Sequence, residues 1–120
     1  MASSVTTQLS ISSANATSDS LSIVVNKTLG TKEPTIGIAR TSVAGTKVAL
    51  VATTAADVTY IYAKNTDNTN TAVFSDGAGN AIIDLGPGEF AFIPVKATKG
   101  LQAEASSSAV VIEYALFTKS

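Results

Sequence analysis

The chain contains no cysteine, no histidine and no tryptophan, and Arg40 is its single arginine. Each absence removes a class of chemistry. Without cysteine there are no disulfide staples, thiolate nucleophiles or thiolate-bound zinc. Without histidine, the usual general base near neutral pH and the commonest metal ligand are gone. A lone arginine leaves almost no bidentate fork for phosphate or carboxylate groups. Charged residues make up 14% of the chain, against about a quarter in ordinary domains, and the net charge is −1. That balance gives no electrostatic basis for binding DNA or RNA, which needs clustered Lys and Arg. No apolar run approaches the ~20 residues that span a bilayer. The opening MASSVTTQLSISSANATSDS has neither a basic nor an apolar signal region, so synthesis in the cytoplasm is expected.

Serine and threonine fill the space that charge leaves, at about a quarter of the residues. Hydroxyls cost far less than ions to desolvate, so such a surface tolerates burial against a partner. Threonine also suits strands, which is the plainer reason for its abundance. The length, 120 residues, is that of one domain.

Alternation with period two recurs along the chain and helical period does not. Strands are expected over Val5 to Ile11, Leu21 to Asn26, Ile36 to Thr41 and Lys47 to Thr53, with Val48, Leu50 and Ala52 on one face. LGTKEP, Leu29 to Pro34, reads as a turn, and Ala55-Ala56 as the one place for a helical turn. VTYIYAKN, Val58 to Asn65, is the clearest single strand, with Val58, Tyr60 and Tyr62 on one side. Ala72 to Phe74 and Ile82 to Leu85 form a hairpin about the Asp76 to Asn80 turn. Glu89 to Val95, Leu101 to Ala105 and Ala109 to Thr118 complete the set. The spacing predicts an antiparallel β-sandwich, jelly-roll or immunoglobulin-like, of about eight to ten short strands. Residues 1–20 are expected to be a Ser/Thr-rich extended arm, loose in isolation and held by a partner, and residues 21–120 a single sandwich domain.

Candidate chemistry is thin. Ser106, Ser107 and Ser108 sit in a turn without a base beside them. Asp84 with Glu89, or Glu104 with Glu113 facing each other across the last hairpin, are the possible carboxylate pairs for a glycosidase. Asn65, Asp67, Asn70 and Asp76 are oxygen ligands of the kind calcium takes, but without the spacing of a calcium loop. Glycine-rich GPG and GAG segments precede strands, so they are turns and not phosphate cradles. The tyrosines and phenylalanines read as core and sheet-face residues, with Phe92 inside the sheet pair; Tyr60 with Tyr62, or Phe90 with Phe92, would form an apolar partner surface if either pair lay outside the sandwich. No catalytic, cofactor or metal residue is assigned, and the expectation is a non-enzymatic protein. The candidate partner-binding residues are Val5, Leu9 and Ile11 of the arm and Val111 and Phe117 of the last strand, which is apolar on both faces.

Four segments carry a resemblance: VTYIYAKNTDNTNTAVF (Val58 to Phe74), LGPGEFAFIPV (Leu85 to Val95), GLQAEASS (Gly100 to Ser107) and VVIEYALF (Val110 to Phe117). They are spread over Val58 to Phe117, roughly half the chain, which resembles small β-sandwich virion proteins of tailed bacteriophages, particularly cyanobacterial phages. The resemblance implies a head decoration or cement protein on the capsid exterior, binding the major capsid protein, copies of itself (dimer or trimer), or both. A structural β domain of the tail, baseplate or fibre is the alternative, and a carbohydrate-binding module a further one. No nucleic acid, membrane, small-molecule substrate or cofactor is implied.

Overall fold

The computed structural model describes residues 3–32 and 36–120, and ten strands form among them. They are β1 (Ser3–Ser13), β2 (Leu21–Thr31), β3 (Ile36–Val43), β4 (Val48–Val51) and β5 (Thr59–Asn65). The second half adds β6 (Ala72–Asp76), β7 (Ala81–Leu85), β8 (Phe90–Val95), β9 (Leu101–Ala105) and β10 (Val110–Thr118). Two four-stranded sheets, β3-β10-β5-β8 and β4-β9-β6-β7, pack on each other, and β1 and β2 form a separate two-stranded ribbon.

The eight sandwich strands make one long hairpin rolled up on itself. Its antiparallel rungs are β6 with β7, β5 with β8, β4 with β9, and β3 with β10. Successive rungs fall in opposite sheets, and β10 with β5 and β9 with β6 close the roll laterally. That order is the jelly roll.

The tip of the hairpin explains why the chain turns where it does. The Asp76 carboxylate accepts from the backbone N–H groups of Ala78 and Asn80, both at 2.9 Å, and Gly79 supplies a φ of +90°. Gly77 donates to the Lys99 carbonyl at 2.8 Å, and a β-carbon there would collide with that carbonyl and with Thr53. The tip is thereby pinned to the turn before β9.

Alternation decides the core. β5 and β9 bury every second residue, placing Ile61 and Ala63 opposite Leu101 and Ala103, with Ile112 and Val110 from β10 beside them. Phe74 is the largest fully buried side chain and the only aromatic among the buried core residues. A gap of about 10 Å³ between Ile61, Phe74 and Leu101 is apolar and too small to hold a ligand.

Several elements depart from expectation. Ala55-Ala56 form no helix. In β4 a bulge between Ala49 and Val51 breaks the alternation, so Val51 is buried and Ala52 is exposed. Leu29 and Gly30 continue β2 and do not turn, because β1 offers them a partner down to Ser3; Pro34 lies outside the described residues. β2 itself pairs with β1 alone and joins neither sandwich sheet, so Ile23, Val24 and Val25 are exposed instead of half-buried.

Candidate functional site

The register of the ribbon sets its two faces, because directly opposed residues of an antiparallel pair project to the same side. Val5 opposes Leu29, Leu9 opposes Val25 and Ile11 opposes Ile23. One face is therefore apolar at these three pairs, broken in the middle where Thr7 opposes Lys27 and at its ends where Ser3 opposes Thr31 and Ser13 opposes Leu21. The other carries Ser4, Thr6, Gln8, Ser10 and Ser12 against Gly30, Thr28, Asn26, Val24 and Ser22. The apolar face is largely uncovered: Leu9 is 47% and Val25 53% exposed.

The base of the ribbon is fixed. Lys32 donates from its backbone to Thr118 at 2.8 Å, Ser120 donates to Gly30 at 3.1 Å, and Thr31 bridges Lys119. The Lys32 ammonium meets Asp57 at 2.7 Å. These contacts tie the ribbon to the end of β10, one of the two inner strands of its sheet.

The outer face of that sheet is the second part of the site. Tyr62 lies between Phe92 on β8 and Ala115 on β10, and Tyr60 between Pro94 and Phe117. Tyr60 and Phe92 stack diagonally, with ring centroids 6.0 Å apart and planes 9° from parallel. Phe90, at 66% exposed, extends the aromatic row along the edge strand β8. Beside the rings, the Glu113 carboxylate accepts from Arg40 Nη2 at 3.0 Å and from the Tyr62 hydroxyl at 3.0 Å. Arg40 first, and Tyr62 second, hold that carboxyl below its ordinary range; partial burial followed by Glu113 pushes the Tyr62 phenol up. The network orients Tyr62 rather than holding the fold, since exposed ion pairs contribute little.

Ribbon and sheet meet incompletely. Between them lies a cleft of about 480 Å³, walled by Thr7, Gln8, Leu9 and Val25 on one side and Tyr62, Phe90, Ala91 and Phe92 on the other. Of the five residues expected to bind partners, Val5, Leu9 and Ile11 share the apolar ribbon face, and Leu9 lines the cleft. Val111 and Phe117 lie on the outer face of β10, away from the cleft walls. Among the other cleft residues, Val25 carries no signal of its own in the sequence, whereas Tyr62, Phe90 and Phe92 belong to the aromatic pairs expected to mark a partner surface if they lie outside the sandwich. Sequence reasoning places Phe92 inside the sheet pair, whereas Ala91, Ile93 and Val95 take the inner side and leave Phe92 38% exposed.

The remaining chemical candidates come apart. Glu104 and Glu113 sit in different sheets and do not face each other; Glu104 lies 3.9 Å from Lys47. Glu89 accepts from the backbone N–H of Gly86 and closes its own turn. Ser106 and Ser107 bond to Thr71 and Asn70 as turn residues do. Asn65 is fully buried, with Nδ2 donating to the carbonyls of Asn70, Leu85 and Gly86 and Oδ1 accepting from Asp67 N–H. It is a structural hub and not an available calcium ligand. Asp67 is committed to the N–H groups of Asn70 and Thr69, and Asp76 to Asn80, which lower both carboxyl pKa values. Among the described residues no group of His, Cys, Asp or Glu side chains is placed to hold a metal ion.

No family model, curated protein or solved structure matches the chain.

Proposed function

We propose that this chain is a non-enzymatic structural protein of a phage virion, a decoration or cement protein that binds and stabilises the major capsid lattice from outside. The observation that carries the reading is the ribbon, whose apolar face is held out from the sandwich and left largely uncovered. A surface of that kind marks a contact with another protein. The aromatic face of the neighbouring sheet adds a second such surface, and the low charge of the chain keeps desolvation cheap. The jelly roll supports no single function, since the architecture serves capsid and lectin domains alike. The expected resemblance of the second half to small phage virion proteins favours a virion partner over a glycan, and the capsid is the reading put to the test. Weak individual contacts suffice there, because a lattice presents many copies at once.

The test is quantitative mass spectrometry of purified virions, with heads separated from tails. The reading expects the chain in the head fraction, in numbers comparable with the major capsid protein. Its confinement to tails, or to a few copies per particle, would overturn the cement assignment.

A further inference from the structure

Ribbon and sheet are two apolar surfaces on one chain, and neither fully covers the other. We propose that a second copy of this chain completes them: the apolar face of one ribbon seats on the aromatic outer sheet face of its neighbour, around Phe90 and Phe92. The inference rests on reading the chain as an assembly subunit, and names its first partner.

Three observations favour a second copy over another occupant. First, the required surfaces occur together. A ribbon face carrying Leu9, Val25, Ile11 and Ile23 and a sheet with an exposed aromatic row are complementary in chemistry, and every copy brings one of each. Second, the ribbon does not fill its own cleft. Leu9 and Val25 wall a space of about 480 Å³ opposite Phe90 and Phe92, so the surfaces are aligned but unpacked. The contacts to Thr118, Lys119 and Ser120 anchor only the base of the ribbon, at Gly30, Thr31 and Lys32.

Third, the area is sufficient. A ribbon of two 11-residue strands is about 36 Å long and, at the usual strand spacing, about 10 Å wide. Seating one such face hides roughly 700 Å² of combined surface, and two seatings about 1,400 Å², inside the ~1,200–2,000 Å² of stable interfaces. Lys27 is the one charge on the seated face, and its long stem lets the ammonium reach the rim. Reciprocal exchange gives a dimer, and head-to-tail exchange a closed ring.

The absence of native cysteine makes the contact directly testable in the full chain. Leu9→Cys and Phe92→Cys are made in separate chains, mixed and mildly oxidised. A covalent pair at twice the 12.1 kDa chain mass is expected, well above the yield from either variant alone. Light scattering of the unmodified chain should give a multiple of that mass, falling to a single chain in Leu9→Ser/Val25→Ser. Both replaced side chains are exposed, so the double variant should keep the folded circular dichroism spectrum and a cooperative melt, lowered only by the loss of self-association. The proposal is overturned if the unmodified chain is a monomer at all concentrations. It is equally overturned if the cysteines join only when both are in one chain. A crosslinked pair that fails to bind capsids supports the contact and counts against the virion reading alone.

Discussion

Replacing Asn65 by alanine should unfasten three segments at once. The side chain is fully buried at the end of β5 and holds the Asn70 carbonyl at 2.8 Å, Leu85 at 3.0 Å and Gly86 at 3.2 Å, while accepting from Asp67 N–H at 3.0 Å. Gly86 keeps a second partner in Glu89 N–H, so the main orphans are the Asn70 and Leu85 side of the hub and the Asp67 N–H. An orphaned buried polar group costs about 1–3 kcal/mol, which puts the total near 2–4 kcal/mol once water reaches the loop. For a chain of this size each kcal/mol moves Tm by about 3–5 °C, so a fall of roughly 6–20 °C is expected. Thermal melts by circular dichroism, with urea titration for the free energy, provide the measurement. Asn65→Asp sharpens it. A carboxylate among three carbonyls has its folded pKa raised, so its penalty should grow as pH rises from about 4. A loss below about 1 kcal/mol for Asn65→Ala would refute the hub.

Phe74→Ala should cost about 3–5 kcal/mol by leaving a cavity where the largest buried side chain stood, measured by urea unfolding. Thr98 is β-branched and sits at φ 66°, so Thr98→Gly should raise stability by about 0.5–1 kcal/mol in the same assay. Asp67, Asp76 and Glu113 have carboxyls held below their ordinary range by hydrogen bonds from Asn70, Asn80 and Arg40 respectively. Depressed folded pKa values contribute stability in full above the unfolded value near pH 4 and lose it as pH falls through the lower folded values. Melting temperature should therefore drop from about pH 4 downward, and Asp76→Asn should flatten part of that drop.

Strand positions were legible because turns and alternation agree. VTYIYAKN becomes β5 with strict alternation, and the Asp76 to Asn80 turn falls where the carboxylate and Gly79 require it. Which face is inner was not legible where both are apolar. In FAFIPV the smaller set, Ala91, Ile93 and Val95, fits the space against Phe74 and Leu101, so the rings go outside. That choice depends on the facing sheet, which no local pattern describes. β2 was misplaced for a related reason: SIVVN alternates well enough for a sandwich strand, and only the pairing with β1 assigns it to the ribbon. Asn65 looked like a loop ligand because its burial arises from Leu85 and Gly86, distant in sequence.

The central claim is that the ribbon serves assembly and not the fold. None of the buried core residues lies in β1, and β2 contributes to neither sandwich sheet. The most direct measurement is sedimentation of the chain, with and without residues 1–28, onto capsids that lack it. Full-length protein should bind saturably, while the shortened chain should melt within a few degrees of it and remain in the supernatant. Equal binding by the two would contradict the account.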